Sequence, residues 1–160
     1  MKSILLVVLL LGLIVSPALA GNWELELGGS AILGESDSTD VFQGDDVLLR
    51  LSAGYGVIPS RVIVGVSVVQ PTQDEQIFGI YGKGYASSNT ESTFRIFARV
   101  GAGGLTTKGE SAFGVNAALG AQLNLMDNIK FSGELSNVSD LTEGELTAAQ
   151  LFNGSVVFAF

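Results

Sequence analysis

Residues 113–125 alternate between apolar side chains and small or polar ones, and this two-residue period constrains the fold more than any other feature. Successive side chains of a β-strand point to opposite faces, so the segment predicts a strand with one apolar face and one polar face. Asp127 and Asn128 then favour a tight turn, and the alternation resumes over residues 129–135. The stretch 112–135 is therefore predicted to be a β-hairpin.

The first strand of this hairpin is longer than the roughly 5 to 6 residues typical of globular sheets. Its polar face carries amides and glycines, such as Asn116, Gly120 and Gln122, which are unsuited to a second apolar core layer. A strand of a transmembrane barrel needs about 9 to 11 residues, with lipid on one face and a polar lumen on the other. The hairpin therefore predicts a membrane-spanning barrel.

The N-terminus has the features of a secretory signal peptide. Lys2 precedes an apolar run over residues 4–15, and Pro17 and the small residues 18–20 follow. The run is shorter than the roughly 17 to 25 apolar residues of a spanning helix, which disfavours the alternative of an uncleaved anchor. We expect residues 1–20 to be removed and residues 21–160 to form one domain. The absence of cysteine excludes a lipoprotein anchor and disulfides.

Eight segments with strand character follow in the mature chain, and long connections alternate with short turns. This arrangement predicts an all-β fold, an eight-stranded antiparallel up-and-down transmembrane β-barrel. Segment 77–85 is ambiguous because neither face is cleanly apolar and Lys83 shares a parity with Tyr81 and Tyr85. The predicted strands are 23–33, 47–55, 61–69, 77–85, 93–102, 113–125, 129–135 and 148–160. The predicted loops are 34–46, 70–76, 103–110 and 137–147, and the long ones follow the first and seventh strands.

Four aromatic residues fall where predicted strands meet the rim of the short turns. Trp23 begins the first strand, Tyr55 and Tyr85 end the second and fourth, and Phe160 ends the last. Aromatic side chains concentrate at membrane interfaces. We expect these four residues to form an aromatic girdle.

Three stretches resemble the outer-membrane β-barrel family of small OmpA-like and OmpX-like proteins. They are RVGAGG (99–104), LGAQLNLMDNIKFSGELS (119–136) and the C-terminal NGSVVFAF (153–160). The resemblance implies a porin-like barrel in the cell outer membrane, surrounded by lipid and lipopolysaccharide. It also implies that the barrel-insertion machinery recognises the last strand, in which Asn153, Phe158 and Phe160 match the family's signal. A monomer is expected.

The predicted inward faces carry charges of both signs. Because eight strands enclose a space that side chains just fill, we expect these charges to pair in a packed polar core. The alternative is a narrow ion-conducting pore, in which exchange of pairs such as Glu134 with Arg99 opens a path. The predicted interior charge network comprises Glu24, Glu26, Arg50, Arg95, Arg99, Lys130 and Glu134.

The composition argues against catalysis and against nucleic-acid binding. The chain has no histidine and no cysteine, which excludes a serine–histidine or cysteine–histidine nucleophile and a zinc site. Its formal net charge of −8 disfavours contact with phosphate backbones. We therefore predict no catalytic, cofactor-binding or metal residues. The acidic segment 35–46 raises the alternative of calcium binding, but it lacks the ligand spacing of a dedicated calcium loop.

The sequence thus favours a non-enzymatic outer-membrane barrel with a structural or surface-interaction role, exercised through acidic extracellular loops. A soluble exported β-sandwich or lipocalin-like binder is the other alternative, since it would also show alternating strands. The two differ in one respect: the apolar face of the soluble protein would point inward.

Overall fold

The computed structural model describes residues 22–35, 48–58, 61–70, 75–87, 92–107, 110–141 and 147–160. The predicted signal peptide, and with it the boundary of the mature domain, lies outside the described residues. So does most of the acidic segment 34–46. The strands are β1 (Trp23–Glu35), β2 (Leu48–Ile58), β3 (Val62–Gln70), β4 (Glu75–Tyr85), β5 (Phe94–Thr107), β6 (Glu110–Asn124), β7 (Ile129–Asp140) and β8 (Thr147–Ala159).

The eight strands form one closed barrel in sequence order. Each strand pairs antiparallel with the next, and β1 pairs antiparallel with β8 to close the sheet. The ladder is interrupted in β1 by a register shift between Ile32 and Gly34. The predicted up-and-down eight-stranded barrel is confirmed. Among the residues that the structure describes, no helix is long and apolar enough to cross a membrane.

The period-two pattern becomes an apolar exterior and a polar interior. Leu119 and Leu135 lie on the outer surface with 69% and 57% of their area exposed, whereas Glu26 and Arg99 on the inner face are each 2% exposed. This arrangement is the inverse of a soluble β-sandwich or lipocalin, whose apolar faces point inward. The soluble alternative is therefore wrong. Closure also leaves no unpaired sheet edge in contact with hydrocarbon.

The strands extend further than their alternation predicts. Predicted loop 103–110 is wrong, because β5 continues to Thr107 and β6 begins at Glu110. Likewise, β7 runs to Asp140, into the predicted loop 137–147. The glycines of this segment interrupt the alternation of apolar and polar residues, so the strand is not visible in the sequence. They are needed in the structure, since a Cβ on Gly103 would stand 2.6 Å from Gly79 Cα of β4.

Strand β4 resolves the ambiguity of segment 77–85. Its outward side chains include Phe78 and Ile80, which are 59% and 63% exposed, and Tyr81, Lys83 and Tyr85 are buried inside the barrel. Glycines at positions 82 and 84 follow them on the outer face, towards the end of the strand. The inner face of the strand is therefore aromatic and charged, a combination that hydropathy alone does not separate from an outer face.

Candidate functional site: the barrel interior

Glu26 is the centre of the buried charge network. Its carboxylate accepts a hydrogen bond from Lys83 Nζ at 2.7 Å and another from Arg99 Nη1 at 2.9 Å. Arg50 Nη2 lies 3.7 Å away. Three cations from β2, β4 and β5 thus converge on one carboxylate of β1, which offsets the cost of burying them.

A second carboxylate, Glu134 of β7, lies on the other side of this cluster. Arg50 Nη1 donates to Glu134 Oε1, and Arg99 Nη1 lies 3.9 Å from Oε2 of the same carboxylate. Asn153 Nδ2 of β8 adds a donor at 3.1 Å. Arg50 and Arg99 therefore each join Glu26 to Glu134.

The end of the network nearest the short turns is built on Glu24. Lys130 Nζ of β7 donates to Glu24 Oε1 at 2.9 Å, and Lys83 Nζ lies 3.4 Å from Oε2. The hydroxyl of Tyr85 donates to Gln122 Oε1 at 2.7 Å. Four strands, β1, β4, β6 and β7, thus contribute polar groups to this end of the lumen.

Six of the seven predicted network residues are joined by these ion pairs, and Arg95 has a different environment. It lies near the short-turn rim, where its guanidinium carbon is 3.8 Å from the centre of the Tyr85 ring. Its Nη2 donates to the carbonyl of Ser87 at 2.9 Å. Arg95 therefore packs the entrance of the lumen, next to the ion pairs that involve Glu24.

The sequence interpretation missed Lys83, which contacts both Glu24 and Glu26 and is fully enclosed. Its Nζ also lies 4.6 Å from the centre of the Phe97 ring. Tyr81 was missed as well; Arg99 stacks on its ring at 3.6 Å. A signal for both was present in the sequence. Tyr81, Lys83 and Tyr85 share one face of the predicted strand, and Phe78 and Ile80 lie on the opposite, apolar face.

The predicted aromatic girdle needs one correction. Trp23 and Tyr55 pack edge to face outside the barrel, with ring centres 5.2 Å apart, and the backbone of Phe160 bonds to that of Trp23. Tyr85 stands at the same rim but is 8% exposed inside the barrel, so its assignment to the exterior girdle is wrong. The cause is its partners, since Arg95 covers the ring and Gln122 accepts from the hydroxyl.

The residues of the predicted insertion signal lie on both faces of β8 or at its end. Asn153 is buried, where its amide nitrogen donates to Ser136 Oγ at 2.9 Å. Phe158 lies opposite Leu25 and Ile129 on the neighbouring strands, and Phe160 follows the end of the strand. Their recognition by the insertion machinery stays a prediction.

Several ion pairs cross the lumen. Strands β1 and β5 are four positions apart in the closed ring of eight, so they face each other across its diameter. The side chains of Arg99 and Glu26 meet across that diameter, with Arg99 Nη1 2.9 Å from Glu26 Oε2. Arg50–Glu134 and Lys83–Glu26 each join strands three positions apart. The middle of the lumen is thus filled by side chains bonded to one another.

Solved structures share this architecture. The N-terminal β-barrel domain of Pseudomonas aeruginosa OprF matches with a TM-score of 0.68 at 13% identity, over 88% of this chain and 98% of that one. Neisserial surface protein A matches with a TM-score of 0.55 at 14% identity, over 86% and 97%. Ail of Yersinia pestis matches with a TM-score of 0.52 at 11% identity, over 88% and 99%.

The fold is that of a bacterial outer-membrane barrel. A de novo designed transmembrane β-barrel also matches, with a TM-score of 0.58 at 13% identity, over 88% of this chain and 96% of that one. No protein-family model and no curated protein sequence matches the chain. The identities are low, so the similarity concerns the fold. Together with the apolar exterior, that fold indicates an outer-membrane location, in agreement with the sequence interpretation.

Proposed function

We propose that this chain is a non-catalytic outer-membrane barrel whose lumen is closed by ion pairs and whose connections at one rim act at the cell surface. The Arg99–Glu26 pair across the barrel diameter is the observation that carries the proposal. An ion would have to break such buried, charge-assisted hydrogen bonds to pass. The interior therefore serves stability, and a surface role is left to the connections.

Conductance in planar lipid bilayers tests the closed lumen. We expect the purified barrel to give no single-channel steps. The double variant Glu26→Ala/Arg99→Ala removes the pair that spans the lumen, and steps should appear. The lipid-facing double variant Leu119→Ala/Leu135→Ala is the matched control and should stay silent. Regular steps from the wild type would refute the closed lumen.

A narrow gated pore is the second candidate, and one observation favours it. Arg99 Nη1 lies 2.9 Å from Glu26 and 3.9 Å from Glu134, so one cation has two carboxylates within reach. A shift of Arg99 from one to the other would rearrange the lumen without leaving a charge unpaired. If this candidate is right, the wild type conducts and Glu134→Gln changes the fraction of time in the open state.

The topology supports a surface role for the connections opposite the termini. Segments 36–47, 71–74, 108–109 and 142–146 join strand ends at that rim, and the turn 125–128 lies at the other. Longer connections face outward in outer-membrane barrels, and the longest connection of the chain, 36–47, lies at this rim, so the four segments would face outward. The first of them contains Asp37, Asp40, Asp45 and Asp46.

Because the chain has no cysteine, single introduced cysteines report this orientation without background. We expect a membrane-impermeant maleimide to label Ser38→Cys on intact cells. Asn128→Cys, in the short turn between β6 and β7, should react only after the outer membrane is permeabilised. The reverse labelling pattern would contradict the proposed outward direction of the acidic segment.

A further inference from the structure

Two amide side chains interrupt the apolar exterior of the barrel on β7 and β8. Asn137 and Gln150 pair directly across these strands, and both side chains are exposed. They belong to the outer face, since their chain neighbours Ser136 and Leu151 are buried in the lumen. Within the described part of the chain, neither side-chain amide has a hydrogen-bond partner. We name these two residues the amide pair.

Apolar side chains surround the amide pair. On the side of the short turns, Leu135 and Phe152 form the next outward pair across the two strands, and both are exposed. Toward the opposite rim, the backbone nitrogen of Leu141 donates to the carbonyl of Phe113, and both side chains are again exposed. Leu33, at the register shift of β1 against β8, is exposed as well. The amide pair therefore lies within the apolar exterior and not at its edge.

Hydrocarbon cannot satisfy the amide pair. Lipid tails offer neither donors nor acceptors, so an amide exposed to them loses the hydrogen bonds that water would make. Asparagine and glutamine on membrane-spanning segments can instead bond across the interface where two segments associate. An occupant of this face must therefore bring hydrogen-bonding groups to the depth of the amide pair.

We propose that the amide pair is the centre of a symmetric dimer, in which a second copy of this chain faces β7 and β8. Two barrels in one membrane have the same rim outward, so a two-fold axis between them runs along the membrane normal. This axis keeps depth and exchanges left with right, which brings Asn137 of each copy opposite Gln150 of the partner subunit. Each side chain has a carbonyl acceptor and an NH₂ donor, so both contacts are reciprocal.

The residues beside the amide pair suit a close approach. Ala117 of β6 pairs with Asn137, and Gly34 of β1 pairs with Gln150, so a small residue lies on either side of the two amides. Small residues allow membrane-spanning segments to come near each other. The dimer departs from the monomer expected from the sequence, in which a contact between copies leaves no local pattern.

Energy transfer between labelled copies tests the proposal. Because the chain has no cysteine, Asn128→Cys in the short turn 125–128 takes a single donor or acceptor dye. The two labelled forms of the mature barrel are mixed in vesicles of phosphatidylethanolamine and phosphatidylglycerol, without lipopolysaccharide. We expect transfer to persist at protein densities where random encounters contribute little. The double variant Asn137→Leu/Gln150→Leu should lower the dimer fraction several-fold.

Two further variants serve as controls. The exchange Asn137→Gln/Gln150→Asn keeps an amide at each position and should keep the dimer. Val66→Leu changes the outer face of β3, on the opposite wall of the barrel, and should also leave the dimer intact. Gel mobility with and without boiling establishes that each variant is folded before its energy transfer is measured.

Absence of transfer from the wild type at every protein density would overturn the proposal without reference to any variant. Unchanged transfer in the double leucine variant would overturn it too, because the contact would then lie elsewhere on the barrel. A third result would identify a different occupant: a wild type that transfers no energy but retains lipopolysaccharide in mild detergent, together with a leucine variant that loses it. The amide pair would then bind that lipid and not a second copy.

Discussion

The inner and outer surfaces of this barrel are made by the same strands and are stabilised in opposite ways. Inside, each charged group has specific partners: Glu26 has Lys83 at 2.7 Å and Arg99 at 2.9 Å. Outside, side chains such as Leu119 project into lipid with 69% of their area free of protein contacts. The interior is therefore sensitive to the identity of each residue, and the exterior mainly to polarity.

This difference has a physical reason. Buried ions without partners cost several kcal/mol, so each interior position depends on others elsewhere in the ring. Hydrocarbon tails accept any apolar shape, and an exterior position depends on little besides its own hydropathy. Matched substitutions on the two surfaces can break or sharpen this contrast. Stability in each case can be measured by urea unfolding in lipid vesicles, followed through the fluorescence of Trp23, the single tryptophan.

The largest effect is expected from Glu26→Ala. It leaves Lys83 and Arg99 buried without their principal carboxylate, and loss of one partner of a buried pair costs about 3–5 kcal/mol. Leu119→Ala, the lipid-facing control, should lower the free energy of unfolding far less. Equal losses in the two variants would show that the interior pairs do not dominate the stability.

A charge on the exterior comes next. Leu119→Arg puts a guanidinium against hydrocarbon, which costs about 2–4 kcal/mol near the midplane of the bilayer and falls to roughly 0–1 near the interface. Leu125→Arg, in the short turn at the rim, is the control and should be nearly neutral. Tolerance of Leu119→Arg would contradict the assignment of this face to lipid.

The glycines of the two surfaces should respond with opposite signs. A Cβ on Gly65, which faces inward, would stand 2.7 Å from Tyr81 Cζ and 2.8 Å from Gly54 Cα, so Gly65→Ala should cost about 1–3 kcal/mol. Outward Gly82 has nothing within 4 Å of that position, and Gly82→Ala should stabilise the strand by about 0.5–1 kcal/mol. Destabilisation by both variants would mean that outward space is not free.

The smallest contrast concerns two tyrosines at the same rim. Tyr85→Phe removes a hydroxyl that donates to Gln122 inside the barrel, at a cost of about 0.5–1.5 kcal/mol. Tyr55→Phe changes a 43% exposed side chain outside and should have little effect. A larger loss for Tyr55→Phe would reverse the assignment of inner and outer rings at this rim.

The strands β6 and β4 show what could be predicted from the chain and what could not. In β6 the apolar series from Phe113 to Leu123 is unbroken, so the outward face was identified correctly. In β4 the lumen holds aromatic rings together with Lys83, and glycines occupy part of the lipid face. Hydropathy then does not show which face of the strand points outward. In the sequence, a tyrosine that is hydrogen-bonded inside the barrel looks the same as a tyrosine at the membrane interface.

The predicted interior charges illustrate the same limit. Parity indicated that Glu26, Arg50 and Glu134 face inward, and the structure places them there. Which cation approaches which carboxylate depends on register and closure: Arg99 meets Glu26 because β5 lies opposite β1 in a ring of eight. Lys83 could be assigned to the network only after the neighbouring strands showed which face of β4 points inward.

The sequence by itself determined the number of strands, the antiparallel up-and-down order and the outward direction of the apolar faces. These follow from a two-residue period and from turn residues, which are local properties of the chain. Only the tertiary structure decided the ion pairs and the inward position of Tyr85. Each of those joins residues distant in the chain, and their meeting depends on how the sheet closes.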